Sequence, residues 1–141
     1  MQIIDGKALL LKLRNPNRVT SVIPKSKVVE ANGVLVNWGI DEALTLSKLN
    51  ITVPSPINSR YSWTGKYAPF DHQKKTAAFL TMHPRAFCFN EQGTGKTASA
   101  IWAADFLMKQ GKIKRALVIC PLSIMDSAWR EDFFTFAPHR S

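Results

Sequence analysis

Two glycines, Gly93 and Gly95, lie between a short apolar run and a helix-prone segment, and this arrangement constrains the fold more than any other feature. The apolar run, 86–89, predicts a buried strand, and the segment from about 96 to 110 predicts a helix that ends at Gly111. Because glycine adopts positive φ at little cost, the backbone between them can curl until successive N–H groups face one hollow. That hollow opens onto the start of the helix, where the helix dipole favours an anion.

Residues 90–97 read Asn-Glu-Gln-Gly-Thr-Gly-Lys-Thr and fit the phosphate-loop pattern except at the first position, where Asn90 replaces glycine. Lys96 would contact the β- and γ-phosphates of ATP, and the Thr97 hydroxyl would ligate Mg²⁺. These two are therefore the candidate catalytic residues. The alternative, a glycine turn followed by an exposed lysine, does not account for the predicted strand before the loop and the predicted helix after it. The ATP-binding residues predicted from the loop are Glu91, Gln92, Gly93, Thr94, Gly95, Lys96 and Thr97.

The segments around this loop predict alternating helices and strands. A helix capped by Asp71 precedes it and ends at His83-Pro84, and a second buried strand is predicted at 116–120. Another helix is predicted over 124–134. Strands that are apolar throughout and alternate with helices are typical of a parallel sheet covered on both faces. The fold class predicted for the chain is therefore α/β.

The first 52 residues predict a separate small α/β module. Residues 8–13 form one strand candidate, and Asn32-Gly33 lies between two β-prone runs, which is typical of a hairpin. A helix is predicted from Asp41, as the cap, to Leu49. Residues 53–69 are rich in proline and predict a linker. Three aromatic residues of that linker, Tyr61, Trp63 and Tyr67, are expected to pack against other parts of the protein.

The chain of 141 residues has a formal net charge of +9, which favours a polyanionic partner. A solubilising surface is an equally good explanation of the charge alone. The two cysteines, Cys88 and Cys120, lack the paired spacing of a zinc site, and free thiols fit a reducing cytoplasm. No signal peptide and no membrane span are expected.

Three motifs in order resemble the start of the motor of superfamily-two helicases, closest to the Swi/Snf-like branch. The first is Pro69-Phe70-Asp71-His72-Gln73, which resembles the family's Q motif. The second is the loop at 90–97. The third is the stretch from Val118 to Ser123, followed by 129–133 and Phe136-Ala137-Pro138, which resembles motif Ia. The resemblance implies that 70–141 is the first part of a RecA-like domain with a parallel sheet.

The resemblance also implies roles for single residues. Gln73 would read the adenine edge of ATP, with Phe70 near the base. Leu122 and Ser123 would contact a nucleic-acid backbone, of DNA more than of RNA. The module at 1–52 is similar to the HARP module that precedes some annealing helicases. Its basic residues outnumber its acidic ones, which fits a nucleic-acid accessory role as well as it fits a solvated face: Lys7, Lys12, Arg14, Arg18, Lys25 and Lys27.

Family members also use an Asp-Glu pair after a later strand and arginines from a second RecA-like domain, and neither is expected here. Asp41-Glu42 precedes the loop, and Glu131-Asp132 lies inside a predicted helix. We therefore expect weak ATP binding and negligible turnover from the chain alone. It is either the N-terminal part of a helicase or translocase, or a short non-catalytic adaptor or decoy that binds nucleic acid or protein. An unrelated small kinase fits less well. The open edge of the predicted sheet would be covered by the rest of a helicase or by a partner.

Overall fold

The computed structural model describes residues 1–30 and 32–140, and the chain divides into two compact units, Met1–Arg60 and Tyr61–Ser141. Both contain helices, and the first contains a sheet, so the predicted mixed α/β class is confirmed. The boundary falls inside the segment predicted as a linker. Ala31, which precedes the predicted Asn32-Gly33 turn, and Ser141, the last residue of the predicted RecA-like portion, lie outside the described residues.

The first unit is built on a four-stranded antiparallel sheet in the order β1-β2-β4-β3. Its strands are β1 (Gln2–Ile4), β2 (Ala8–Lys12), β3 (Lys27–Val29) and β4 (Gly33–Asn37), and its helices are α1 (Asn17–Thr20), α2 (Ile40–Lys48) and α3 (Ile57–Arg60). The Asn-Gly hairpin is confirmed, since β3 and β4 pair with Val28 opposite Val34. Asn32 takes the left-handed conformation with φ of 59°.

Alternation along the strands gives the sheet one buried face and one open face. Leu9 pairs with Val36 and Leu11 with Val34, and all four side chains are buried. The opposite face carries Lys12 and Lys27, both exposed. The predicted cap of α2 was wrong: Gly39 is the N-cap residue, and Asp41 lies in the first turn, where its carboxylate still meets the positive end of the helix.

The second unit is helical. It consists of α4 (Asp71–Met82), α5 (Lys96–Lys109), α6 (Leu122–Ile124), a π-helical turn (Met125–Arg130), α7 (Glu131–Phe136) and a 3₁₀ turn (Pro138–Arg140). The helices predicted before and after the loop are confirmed. Asp71 was predicted as a cap, but α4 starts at this residue and Phe70 is the N-cap residue. A search of the described helices finds none that is long and apolar enough to cross a membrane.

The two buried strands predicted in this unit were wrong. Residues 86–89 and 116–120 have no strand pairing in the described chain, and their apolar side chains face outward. The exposed fractions are 81% for Phe87, 90% for Phe89, 86% for Leu117 and 90% for Ile119. A strand is stable only when its backbone groups are paired, and a parallel sheet also requires cover on both faces. Within the described residues neither segment has such a partner, so the structure shows the α/β class without a RecA-like parallel sheet.

The aromatic residues that the sequence placed in the linker pack within the second unit, as expected. Trp63 meets Trp102 edge to face with ring centroids 5.7 Å apart, and Tyr67 lies 6.5 Å from Phe136. The indole N–H of Trp102 donates to the Thr64 carbonyl at 2.7 Å. These contacts tie the segment that precedes α4 to the buried face of α5.

Candidate functional site

The loop before α5 has the curled backbone that its glycines predicted. Gly93 has φ of 81° and Gly95 has φ of 74°, both in the left-handed region, and α5 starts immediately afterwards at Lys96. An added Cβ at Gly93 would meet nothing within 4 Å, so the loop is open at that point. Asn90, at the first position of the motif, does not have positive φ. This position therefore does not need glycine.

Lys96 lies across this loop. Its Nζ donates to the carbonyls of Asn90 at 2.9 Å and Glu91 at 2.7 Å. The Thr94 hydroxyl donates to the same Glu91 carbonyl at 2.8 Å and closes the turn from the other side. The ammonium group is thus held at the loop by two neutral oxygens, which a phosphate could replace with charged ones. An ammonium group attracts a charged phosphate oxygen more strongly than a neutral carbonyl oxygen, so the exchange would favour an anion.

Helix α4 packs beside the loop and supplies polar side chains. His72 Nε2 lies 3.0 Å from the Thr94 carbonyl, and Gln73 Nε2 donates to the same oxygen at 3.4 Å. Farther along α4, the Thr76 hydroxyl accepts a hydrogen bond from the Asn90 side-chain amide at 2.9 Å. A cavity of about 410 Å³ lies between α4 and the loop, lined by His72, Lys75, Thr76, Asn90, Glu91 and Thr94.

The other predicted site residues lie around this centre or away from it. Phe70 is exposed and stacks on His72 with ring centroids 5.7 Å apart. Glu91 and Gln92 are exposed, and Thr97 is half-buried in the first turn of α5. Leu122 and Ser123 are exposed at the start of α6. Their predicted role toward nucleic acid stays a prediction.

The residues present fit a bound polyphosphate. Positive φ at two glycines, the start of a 14-residue helix and an ammonium group all meet at one loop. In the part of the chain described, no three His, Cys, Asp or Glu side chains come together as a metal-binding group. Mg²⁺ commonly takes few protein ligands and shares the phosphates of its substrate, so the Mg²⁺ role of Thr97 stays a prediction.

Sequence reasoning missed one polar cluster in the same unit, centred on Asp105. Its side chain is only 2% exposed. It accepts hydrogen bonds from Tyr61 Oη at 2.7 Å, Arg140 Nε at 2.6 Å and His139 Nε2 at 2.9 Å, and Lys109 Nζ lies 3.1 Å away. The available signal was an aspartate inside the apolar stretch of α5 with a lysine four residues later.

Electrostatics in this cluster follow from burial and from the donors around it. Burial alone would raise the pKa of Asp105, but hydrogen bonds from Tyr61, Arg140 and His139, with the Lys109 ammonium, outweigh it and hold the pKa at about 2. Burial also raises the pKa of the Tyr61 phenol far above its ordinary value, and the Asp105 carboxylate adds to the rise. Asp105 is therefore a carboxylate at any pH near neutrality. The cluster joins the segment before α4 to the C-terminal 3₁₀ turn.

No family model matches the chain, and comparisons with curated proteins and with solved structures find none that is similar.

Proposed function

We propose that this chain is the nucleotide-binding front part of a helicase-like, nucleic-acid-directed ATPase. The observation that carries the proposal is the curled loop before α5, with the Lys96 ammonium held across it. Its backbone N–H groups and this ammonium would cradle the β- and γ-phosphates, and the Thr97 hydroxyl would hold Mg²⁺. The bound metal would neutralise charge on the phosphates.

Three segments resemble helicase motifs in the order that the family has them, and this order favours a helicase over another phosphate-loop protein. The segments contain Phe70 and Gln73, the phosphate loop, and Leu122 with Ser123. Hydrolysis would also need a carboxylate for the attacking water and arginines from a second domain. We therefore propose that a longer chain or a partner supplies them, and that the chain alone binds nucleotide with negligible turnover. DNA is the proposed nucleic acid.

The exposed segments 86–89 and 116–120 support the same view. In each segment the most exposed apolar side chains are two residues apart, which is the spacing of side chains on one face of a strand. They are Phe87 and Phe89 in the first segment and Leu117 and Ile119 in the second. Exposed apolar segments with unpaired backbone commonly mark places where further chain associates. We propose that the rest of a RecA-like sheet, from a longer chain or a partner, covers them. The same observation also suits the alternative of a non-catalytic adaptor.

Calorimetric titration with ATP, with and without Mg²⁺, tests the nucleotide site. The wild-type chain should bind ATP more tightly with Mg²⁺ present. Thr97→Ala removes the proposed metal ligand, so it should lose this enhancement, roughly tenfold in Kd, while keeping the metal-free affinity.

The matched control is Thr135→Ala, which removes the same hydroxyl from α7, where it donates to the Glu131 carbonyl. It should retain the Mg²⁺ effect. The proposal fails if the wild type binds no ATP under either condition. Detectable hydrolysis by the chain alone would instead contradict the predicted dependence on further chain.

The open sheet face of the first unit supports the proposed nucleic-acid partner. Lys12 pairs across the sheet with Gly33, and Lys27 pairs with Leu35. The register places both lysines on the face opposite the buried Leu9 and Leu11. No acidic residue occupies a strand position on that face within the described residues. Residues 1–60 hold eight Lys and Arg against four Asp and Glu.

Replacing both lysines, Lys12→Gln and Lys27→Gln, should weaken binding to a labelled DNA duplex. Each lysine that contacts a phosphate contributes about 0.9 to the slope of log affinity against log salt. The double variant should therefore lower that slope by about 2 in fluorescence anisotropy. Lys48→Gln, on α2 instead of the sheet, should leave the slope unchanged. An unaltered slope in the double variant would remove this face from the proposed interface.

A further inference from the structure

Gln73 is a largely buried polar residue beside the phosphate loop. Its relative exposure is 9%, although it lies in the first turn of α4. Both ends of its amide are engaged by backbone atoms. Oε1 accepts the Phe70 N–H at 2.9 Å, as the glutamine of a capping box does, and Nε2 donates to the Thr94 carbonyl at 3.4 Å.

A second side chain holds the same Thr94 carbonyl. His72 Nε2 lies 3.0 Å from that oxygen, and because a carbonyl only accepts, this nitrogen carries the hydrogen. Two neighbouring residues of α4 therefore fix the direction of one carbonyl in the phosphate loop. In a trans peptide the C=O and the following N–H point in opposite directions, and no cis peptide occurs among the described residues. The Gly95 N–H consequently points away from α4.

The contact between Gln73 and Gly95 shows how closely helix and loop fit. A Cβ added at Gly95 would collide with the Nε2 atom of Gln73. Gly95 also has positive φ, which side chains rarely adopt. The glycine is thus required both by its own backbone and by the amide that lies against it. Gln73 therefore lies against the loop at Gly95, the residue just before α5.

We infer that Gln73 is a positioning residue of the phosphate loop and does not read the base, so that the chain selects its ligand by the polyphosphate. A residue that reads a base edge presents both ends of its amide to the base. Here the amide is buried and spans α4 and the loop instead. The inference rests on the proposed nucleotide site and replaces the adenine-reading role that the family resemblance implied for Gln73.

The test compares ATP, GTP and inorganic tripolyphosphate as ligands, each with Mg²⁺, in calorimetric titrations of the wild type and Gln73→Ala. Loss of the positioning hydrogen bonds should lower the affinity for all three ligands by the same factor, about threefold to tenfold. A base reader would behave differently: the substitution would weaken ATP and leave tripolyphosphate unchanged. That second pattern would overturn the inference.

Gln73→Glu distinguishes loss of the hydrogen bond to Thr94 from a general disruption of α4. An ionised glutamate keeps an acceptor for the Phe70 N–H and so preserves the start of α4, but it has no donor for the Thr94 carbonyl. It should weaken binding of all three ligands at least as much as alanine does, while circular dichroism shows that α4 and α5 persist. Gln110→Ala, at the other end of α5, is the matched control and should leave all three affinities unchanged.

The affinities of the wild type for ATP and GTP give a second test, which does not depend on whether a variant folds. The wild type should bind ATP and GTP within about threefold of each other, since one lost or gained hydrogen bond corresponds to at least that factor. An ATP preference that disappears in either Gln73 variant contradicts the inference. If the wild type binds none of the three ligands, the proposed nucleotide site itself fails, which is a separate and recognisable outcome.

Discussion

Replacing Asp105 by alanine should lower the free energy of unfolding of the second unit by about 3–5 kcal/mol, the range found when one partner of a buried ionic network is removed. The carboxylate is 2% exposed and meets four donor groups. Without it, the Tyr61 hydroxyl loses an acceptor in a buried place, and the cations nearby lose their counter-charge. Urea denaturation followed by tryptophan fluorescence measures the change, because Trp102 lies on the same helix as Asp105.

Asp126→Ala is the matched control for this substitution. Asp126 also pairs with a basic residue four positions later, Arg130, at 3.4 Å, but its side chain is exposed. Exposed pairs of this kind contribute 0–1 kcal/mol, so the control should change little. Equal effects from the two substitutions would contradict the view that the Asp105 cluster stabilises the unit.

Acidification should lower the free energy of unfolding of the wild type in the same way, because it protonates Asp105. The pKa of Asp105 is about 2 in the folded chain against an ordinary 3.8, so its contribution is complete above about pH 4 and lost as the pH falls toward 2. A shift of that size corresponds to roughly 2 kcal/mol. In Asp105→Asn this component of the acid dependence should be missing. A wild type and variant with parallel stability profiles between pH 5 and pH 2 would count against the assignment.

Local signals account for what the sequence predicted well. Asn32 and Gly33 fix a hairpin because the turn and its two strands lie within a dozen residues of one another. The glycine loop follows from the backbone freedom of Gly93 and Gly95, and α5 follows from a stretch, 96–110, that contains neither glycine nor proline. Each of these features is decided by residues that are close in the chain.

Features that depend on distant residues could not be predicted in the same way. The apolar run 86–89 has the composition of a buried strand, but a strand needs a partner, and the described chain pairs nothing with it. The Asp105 cluster joins residues 34 to 44 positions away from the aspartate. Likewise, the burial of Gln73 depends on how closely α4 packs against the loop, which no pattern within α4 shows.

The Lys96 ammonium gives the most direct test of the site, because the structure places this charge across the loop. Lys96→Ala should weaken binding of Mg-ATP and of tripolyphosphate by about 100-fold or more, as expected when two charge-assisted hydrogen bonds to phosphate are lost. Because the hydrogen bonds of Nζ go to carbonyls of the loop and not of α5, the substitution should leave the fold of α5 intact.

Lys112→Ala removes the same charge beyond the far end of α5 and should alter both affinities less than twofold or so, since an exposed charge at that distance is screened by salt. Circular dichroism of both variants checks that the helices persist. A Lys96→Ala chain that binds within about threefold of the wild type, with its helices intact, would mean that the anion is not held by this loop. The +9 charge of the chain would then be the simpler explanation of any phosphate binding, and such binding would weaken steeply with added salt.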